Sequence, residues 1–168
     1  HTVERVLFNS ALSSTSLDGR SFFYVNPLEL DLEDYGRESA VSPKNREVLP
    51  IKERLEVFNC SCCPPNINRF FAELGDVVAA VDGGEVTIEQ YVSSVVSTAL
   101  GSIKIAENYA TDGKATISSD DYAAGKISVR VPHWSEKVTA TLDGKAVAVE
   151  VKDGYAEFTV GKSFTLSL

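Results

Sequence analysis

Three cysteines are the residues whose types and spacing point most directly to chemistry. All three fall within Cys60-Ser61-Cys62-Cys63, and Pro64-Pro65-Asn66 follows at once. An odd number packed into four positions is a poor disulfide framework. Thiolates for metal binding or nucleophilic attack suit the spacing better; the alternative is a set of buried, inert cysteines. Reactive thiols favour a reducing compartment, so the expected location is cytoplasmic. The two prolines suit the first turn of a helix, which places Cys62 and Cys63 beside its unpaired N–H groups and the positive end of its dipole, where a thiolate is favoured. Zinc takes four ligands in structural sites and about three plus an open position in catalytic ones. The chain offers at most three thiolates, and its two histidines, His1 and His133, lie far away in sequence. The other ligands would be carboxylates or come from elsewhere. His133, after Pro132, reads as a surface or packing histidine.

Two helices and a series of strands must position these groups. Val3, Val6, Leu7, Ala11 and Leu12 approximate one face of a helix over 2–13. Ser13 to Ser16 stop it, Asp18-Gly19 is a turn signal, and Phe22 to Val25 reads as a strand ended by Pro27. Residues 29–50 are acidic and irregular, a surface loop without calcium-loop spacing. Leu55 to Phe58 reads as a short strand leading to the cysteines. After them, Ile67, Phe70, Phe71 and Leu74 recur at i, i+3, i+4 and i+7, with Gly75 as the expected C-terminal stop. Asn66 is placed to cap or brace the cysteine turn, and Arg69 to lie on the surface.

From Val77 onward the texture is strands. Asp82-Gly83, Asp112-Gly113, Asp143-Gly144 and Asp153-Gly154 are turn signals. Between them lie period-2 runs at Val86-Ile88, Ile127-Val131, Val138-Leu142, Val147-Val151, Phe158-Val160 and Phe164-Leu168. The expected fold is mainly β with two helices: residues 1–76 form a helix and loop segment carrying the cysteines, and residues 77–168 form an antiparallel β-sandwich. Trp134 is expected to pack in that sandwich. Phe164 to Leu168 still reads as a strand in progress, and the chain opens without Met, so both ends look cut and the sandwich truncated.

Charge narrows the partners. The net charge is -8 with no basic run, which disfavours nucleic acid and anionic membrane surfaces. No apolar stretch approaches the ~18 to 20 residues of a membrane span.

The motif Cys60-Ser61-Cys62-Cys63-Pro64-Pro65-Asn66-Ile67-Asn68-Arg69 resembles the signature of glycoside hydrolase family 127, the β-L-arabinofuranosidases. The similarity extends upstream through Ser16-Leu17-Asp18-Gly19-Arg20-Ser21-Phe22-Phe23-Tyr24-Val25-Asn26-Pro27 and downstream through Arg130-Val131-Pro132-His133-Trp134. It implies a retaining hydrolase acting on a carbohydrate, with an (α/α)6 barrel followed by β-sandwich domains; residues 1–76 would be the end of the barrel region. It implies a zinc ion held by one glutamate and three cysteines, with Cys62 as ligand and nucleophile, Cys63 as ligand, and Tyr24 reaching the sugar. Two of those ligands belong to a Glu-x-Cys motif upstream of the matched region, and no Glu-x-Cys occurs in this chain. The family's general acid/base also lies upstream. Val57 stands where relatives often have tryptophan, and His133 where they often have glycine. This chain alone is therefore expected to be inactive. Two other classes remain: a noncatalytic β-sandwich module associated with carbohydrate, and a structural zinc-binding protein.

Overall fold

A computed structural model describes residues 2–23, 54–56, 64–123 and 125–168. The chain divides into two compact units, His1–Ala72 and Glu73–Leu168.

The first unit opens with helix α1, built from an α-helical turn Thr2–Val6, a π-helical turn Leu7–Ala11 and a last turn Leu12–Ser14. Leu7 and Ala11 are buried, whereas Val6 and Leu12, expected on the same face, are exposed. The π turn closes its hydrogen bonds one residue later than an α turn, which rotates the face that follows it. Ser14 and Thr15 hydroxyls both donate to the Ala11 carbonyl at 2.9 Å, satisfying an acceptor at the helix end. Helix α2 runs Pro64–Ala72, starting at the prolines as expected. It does not use Gly75 as its stop: the helix ends at Ala72, and in the second unit Gly75 lies inside a 3₁₀ turn, Leu74–Val77. The expected loop over 29–50 and most of the strands expected at 22–25 and 55–58 lie outside the described residues.

The second unit has eleven strands among the described residues: β1 Ala79–Asp82, β2 Glu85–Ile88, β3 Ser94–Thr98, β4 Gly101–Glu107, β5 Ala115–Ser119, β6 Gly125–Arg130, β7 Ala140–Leu142, β8 Lys145–Val147, β9 Val151–Lys152, β10 Tyr155–Val160 and β11 Phe164–Ser167. They form two sheets, ordered β1-β2-β6-β10-β9 and β3-β4-β5-β11-β7-β8. One apolar core takes residues from both, including Val86, Ile88, Ile127, Val129 and Phe158 from the first sheet and Ile103, Ile105, Ile117, Phe164 and Leu166 from the second. This is a sandwich, mainly β as expected, but not wholly antiparallel. Strands β2 and β6 pair in parallel, Val86 with Ile127 and Ile88 with Val129. The chain leaves the first sheet after β2, lays down β3 to β5 in the second, and returns in the same direction; parallel neighbours need such a crossover.

Three hairpins use two-residue turns with positive φ at both positions. In β7–β8 and β9–β10 these are Asp143-Gly144 and Asp153-Gly154, as the turn signals predict. In β1–β2 the pair is Gly83-Gly84, because Asp82 is already paired with Glu85. Asp112-Gly113 instead closes the short helix α3, Tyr109–Asp112, ahead of β5. The β3–β5 segment is absent from the expected runs; in β4 and β5 apolar residues alternate with Ser, Lys and Thr, and Ile103, Ile105, Ala115 and Ile117 are buried, with Val96 of β3 packed against them.

Two contacts in this unit are demanding. Gly101 has φ +119°, and a Cβ placed there would lie 2.6 Å from the Asp121 carbonyl oxygen. Tyr122 is wholly buried, packs edge-on to Phe164 at 5.8 Å, and donates its hydroxyl hydrogen to the Lys126 carbonyl at 2.7 Å. Burial is the main cause that raises the Tyr122 phenol above its ordinary value, and it does the same at Tyr155, helped there by Glu89. Gly101→Ala should lower unfolding free energy by about 2 kcal/mol or more, read by urea denaturation; an unchanged midpoint would contradict the contact. Because both phenols favour the protonated form when folded, stability should be flat below the ordinary tyrosine range near ~10 and fall as pH rises through it. Thermal melts of Tyr122→Phe between neutral and alkaline pH should show a shallower fall than the parent.

Candidate functional site

Cys60, Cys62, Cys63 and Tyr24 all lie outside the described residues. The structure describes the parts of the first unit that flank them. Phe22 is the middle of a three-segment ladder, bridged to Thr15 on one side and Leu55 on the other. Phe22 N–H donates to the Leu55 carbonyl at 3.1 Å and Leu55 N–H returns the bond at 3.0 Å; Phe23 N–H donates to Ser14 at 2.9 Å. The ladder thus ties the backbone one residue before Tyr24 to the stretch that leads into the cysteine motif.

Local sequence explains why the chain turns back at this point. Gly19 takes φ +70°. The Asp18 carboxylate accepts from the Ser16 hydroxyl at 2.5 Å and from Arg20 N–H at 3.1 Å, while the Ser16 hydroxyl accepts from Ser21 N–H at 2.9 Å. The Ser16 bond, followed by the Arg20 bond, holds the Asp18 carboxyl below its ordinary value. Arg54 clamps the other side: its guanidinium donates to the Ser13 carbonyl at 2.5 Å and lies 4.6 Å over the Phe23 ring.

On the other flank, Cys63 immediately precedes Pro64, the first residue of α2. The helix has nine residues; Pro64 and Pro65 contribute no N–H, so its dipole and the Asn66 N–H are what can favour an anion at that end. Arg69 donates to the Asn66 side chain at 3.2 Å on the exposed face, so Asn66 braces Arg69 within the helix. Among the described residues no group of three or more His, Cys, Asp or Glu side chains is placed to hold a metal ion.

Three side chains depart from expectation or went unnoticed. Glu4 is 5% exposed, a buried carboxylate on the α1 face that also carries Leu7 and Ala11. The signal was present as an acid three residues before a buried leucine, and a carboxylate in that position requires polar partners. Arg130, at the end of β6, is 2% exposed and donates through Nε to the Glu89 carbonyl. Trp134 is 54% exposed rather than packed in the sandwich core, because β6 ends at Arg130 and the chain leaves the sheet before reaching it. His133 is exposed, as a surface histidine would be.

Two family models match in succession. The β-L-arabinofuranosidase catalytic domain of glycoside hydrolase family 127 matches residues 1–76, and the middle domain of the same family matches residues 85–163. The chain belongs to glycoside hydrolase family 127. Within this family it is 29% identical, over 99% of its length, to the non-reducing end β-L-arabinofuranosidase of Bifidobacterium longum subsp. longum, of which it covers 26%. It superposes with a TM-score of 0.78 on Ara127N, a family 127 β-L-arabinofuranosidase from Geobacillus stearothermophilus T6, at 30% identity over 98% of this chain and 26% of that one. A further family 127 structure, a β-arabinofuranosidase, shares the fold with a TM-score of 0.70 at 24% identity, over 98% of this chain and 27% of that one. The chain spans about a quarter of the length of these relatives. The family motif therefore occupies the part of the first unit that the Phe22 ladder and α2 flank in sequence.

Replacing Arg54 by Ala removes both the Ser13 bond and the stacking on Phe23. Amide hydrogen exchange at Phe22 and Leu55 should accelerate ~tenfold. Exchange in β6 and β10 should not change, and equal acceleration there would show that Arg54 supports the whole chain rather than the ladder.

Proposed function

We propose that the complete protein is a retaining glycoside hydrolase, a β-L-arabinofuranosidase, in which Cys62 is the nucleophile, Cys62 and Cys63 are zinc ligands and Tyr24 contacts the sugar. The observation that carries this reading is the family 127 catalytic-domain match over residues 1–76, which contains the Cys-x-Cys-Cys-Pro-Pro-Asn motif. In the complete protein residues 1–76 belong to an (α/α)6 barrel, and residues 77–168 belong to the β-sandwich that follows it. The substrate class is a neutral carbohydrate bearing arabinofuranosides, which agrees with an acidic chain poorly suited to nucleic acid.

The donor set fits the metal. Adjacent thiolates are soft ligands of the kind zinc selects, and the start of α2 favours their anionic form. Bound zinc would keep the thiols deprotonated at neutral pH and fix their positions. The family's Glu-x-Cys ligands and its general acid/base are absent from this chain, so they come from the remainder of the protein.

The chain's own contribution is nucleophilic. Cys62 Sγ attacks the anomeric carbon, the carbon–sulfur bond forms, and the bond to the leaving oxygen breaks. That oxygen takes a proton from an acid outside this chain. Water then displaces the sulfur, giving its proton to the same residue, and the thiolate is regenerated with net retention. Tyr24 orients the sugar for both steps.

In the complete protein, Cys62→Ser should lower kcat by at least about 10³-fold while the sandwich keeps its melting temperature, because a serine hydroxyl is a weak nucleophile and a poor zinc ligand. An unchanged kcat would place the nucleophile elsewhere. The 168-residue chain alone should not hydrolyse a chromogenic arabinofuranoside, and after dialysis its thiols should titrate freely with little zinc retained. One tightly held zinc per chain with unreactive thiols would instead indicate a structural metal site.

A further inference from the structure

Arg54 makes two contacts that the hydrolase reading leaves without a role. Its Nη2 donates to the Ser13 carbonyl, 41 residues away in sequence, at 2.5 Å, and the same guanidinium lies 4.6 Å over the Phe23 ring. Arg54 is exposed, and an exposed arginine ordinarily keeps its charged end in water. Holding so long a side chain in one geometry costs rotamer freedom. Its partners here are a carbonyl and a ring rather than a carboxylate, so charge pairing is not what holds it.

What the two contacts join is the approach to Tyr24. Phe23 N–H donates to the Ser14 carbonyl at 2.9 Å, and Phe22 exchanges both main-chain bonds with Leu55, the neighbour of Arg54. The pairings of Phe22 with Thr15 and Leu55 are isolated bridges rather than strands of a sheet. A single bridged pair fixes where the backbone lies but resists rotation about the chain's own axis only weakly, because no further pair follows to hold the twist. The Phe23 ring, held under the guanidinium, supplies that resistance. In extended chain successive side chains leave on opposite faces, so the rotation set at one position sets the direction of the next. The next position is Tyr24.

A flat guanidinium suits this task. It donates in its plane to Ser13 while its face covers Phe23, and a compact ammonium has no plane with which to do both. As a surface contact alone Arg54 would matter little, since exposed polar contacts contribute little to stability. As the support of a sugar-contacting residue it would matter far more, because misplacing a group by ~1 Å can cost ~10²-fold in rate.

We propose that Arg54 is a positioning residue of the hydrolase: through Phe23 and the end of α1 it fixes the direction in which Tyr24 meets the sugar. This rests on the reading of Tyr24 as the sugar contact, and it concerns neither the nucleophile nor the metal.

The test is a double-mutant cycle in the complete protein, with kcat/KM for a chromogenic arabinofuranoside, zinc content and melting temperature measured on each variant. Tyr24→Ala and Arg54→Ala should each lower kcat/KM ~tenfold or more. The double variant should lie within ~threefold of Tyr24→Ala, because Arg54 then has nothing left to position. Zinc content and melting temperature should match the parent in all three. If Arg54→Ala does not fold, Arg54→Lys takes its place in the cycle, keeping the charge and a donor but losing the flat face over Phe23. The inference is overturned if the folded Arg54 variant keeps the parental kcat/KM, if its loss adds in full to that of Tyr24→Ala, or if zinc is lost along with the activity. Parental kcat/KM in Tyr24→Ala would instead show that the sugar contact lies elsewhere, and would remove the inference together with that reading.

Discussion

The sandwich depends on one constraint, that two sheets must share a single dry layer. Strands β2, β6 and β10 present Val86, Ile88, Ile127, Val129, Ala156 and Phe158 on one side of it, and β4, β5 and β11 answer with Ile103, Ile105, Ile117, Phe164 and Leu166. Most of these side chains are almost wholly buried. Each fully buried aliphatic contributes about 1.5 to 3 kcal/mol relative to exposure, and none can turn without moving its whole strand, because alternation has a period of two. The outer face follows from this. Once the apolar residues point inward, the row of Thr87, Ser128 and Glu157 must point outward, and the depth of Ser128 follows from its place on the central strand between β2 and β10.

The same constraint explains the mixed topology. A strand that returns to the first sheet after three strands in the second has to pair where apolar faces match, and Ile127 and Val129 match Val86 and Ile88 in parallel. The buried phenol of Tyr122 sits where the chain passes from β5 in the second sheet to β6 in the first, and the β3–β4 turn at Gly101 packs closely against the backbone of Asp121 and Tyr122. Turns with two residues at positive φ then set the registers of the short hairpins.

The first unit works by different means. Its described contacts are mainly polar: an Asp18-Gly19 turn, a backbone ladder through Phe22, and an arginine that bonds to Ser13 and covers Phe23. Such contacts suit a frame for functional groups, since they fix backbone direction rather than merely bury surface. Glu4 adds a buried carboxylate to that unit. The π turn Leu7–Ala11 follows it directly along the same helix.

Much of this was legible in the sequence. The cysteine motif, the proline start of α2, the helix over the first residues and the Asp-Gly turns at 143–144 and 153–154 are local signals, and local backbone geometry suffices to read them. The motif also carried the family, through its resemblance to the family 127 signature. What the sequence did not reveal was decided by residues far apart. The run from Val147 to Val151 reads as one strand, yet the chain changes sheets within it, with β8 in the second and β9 in the first. Strands β3 to β5 carry too few apolar residues to be recognised until Ile103, Ile105 and Ile117 meet the opposite sheet. Trp134 looked like a core residue by type, but lies beyond the end of its strand. Ser128, inside the Ile127–Val131 run, is buried on the outer face between its cross-strand partners Thr87 and Glu157. A residue's period and turn preference belong to its own stretch of chain, whereas burial belongs to whichever distant strand arrives beside it, and only the tertiary structure decides that.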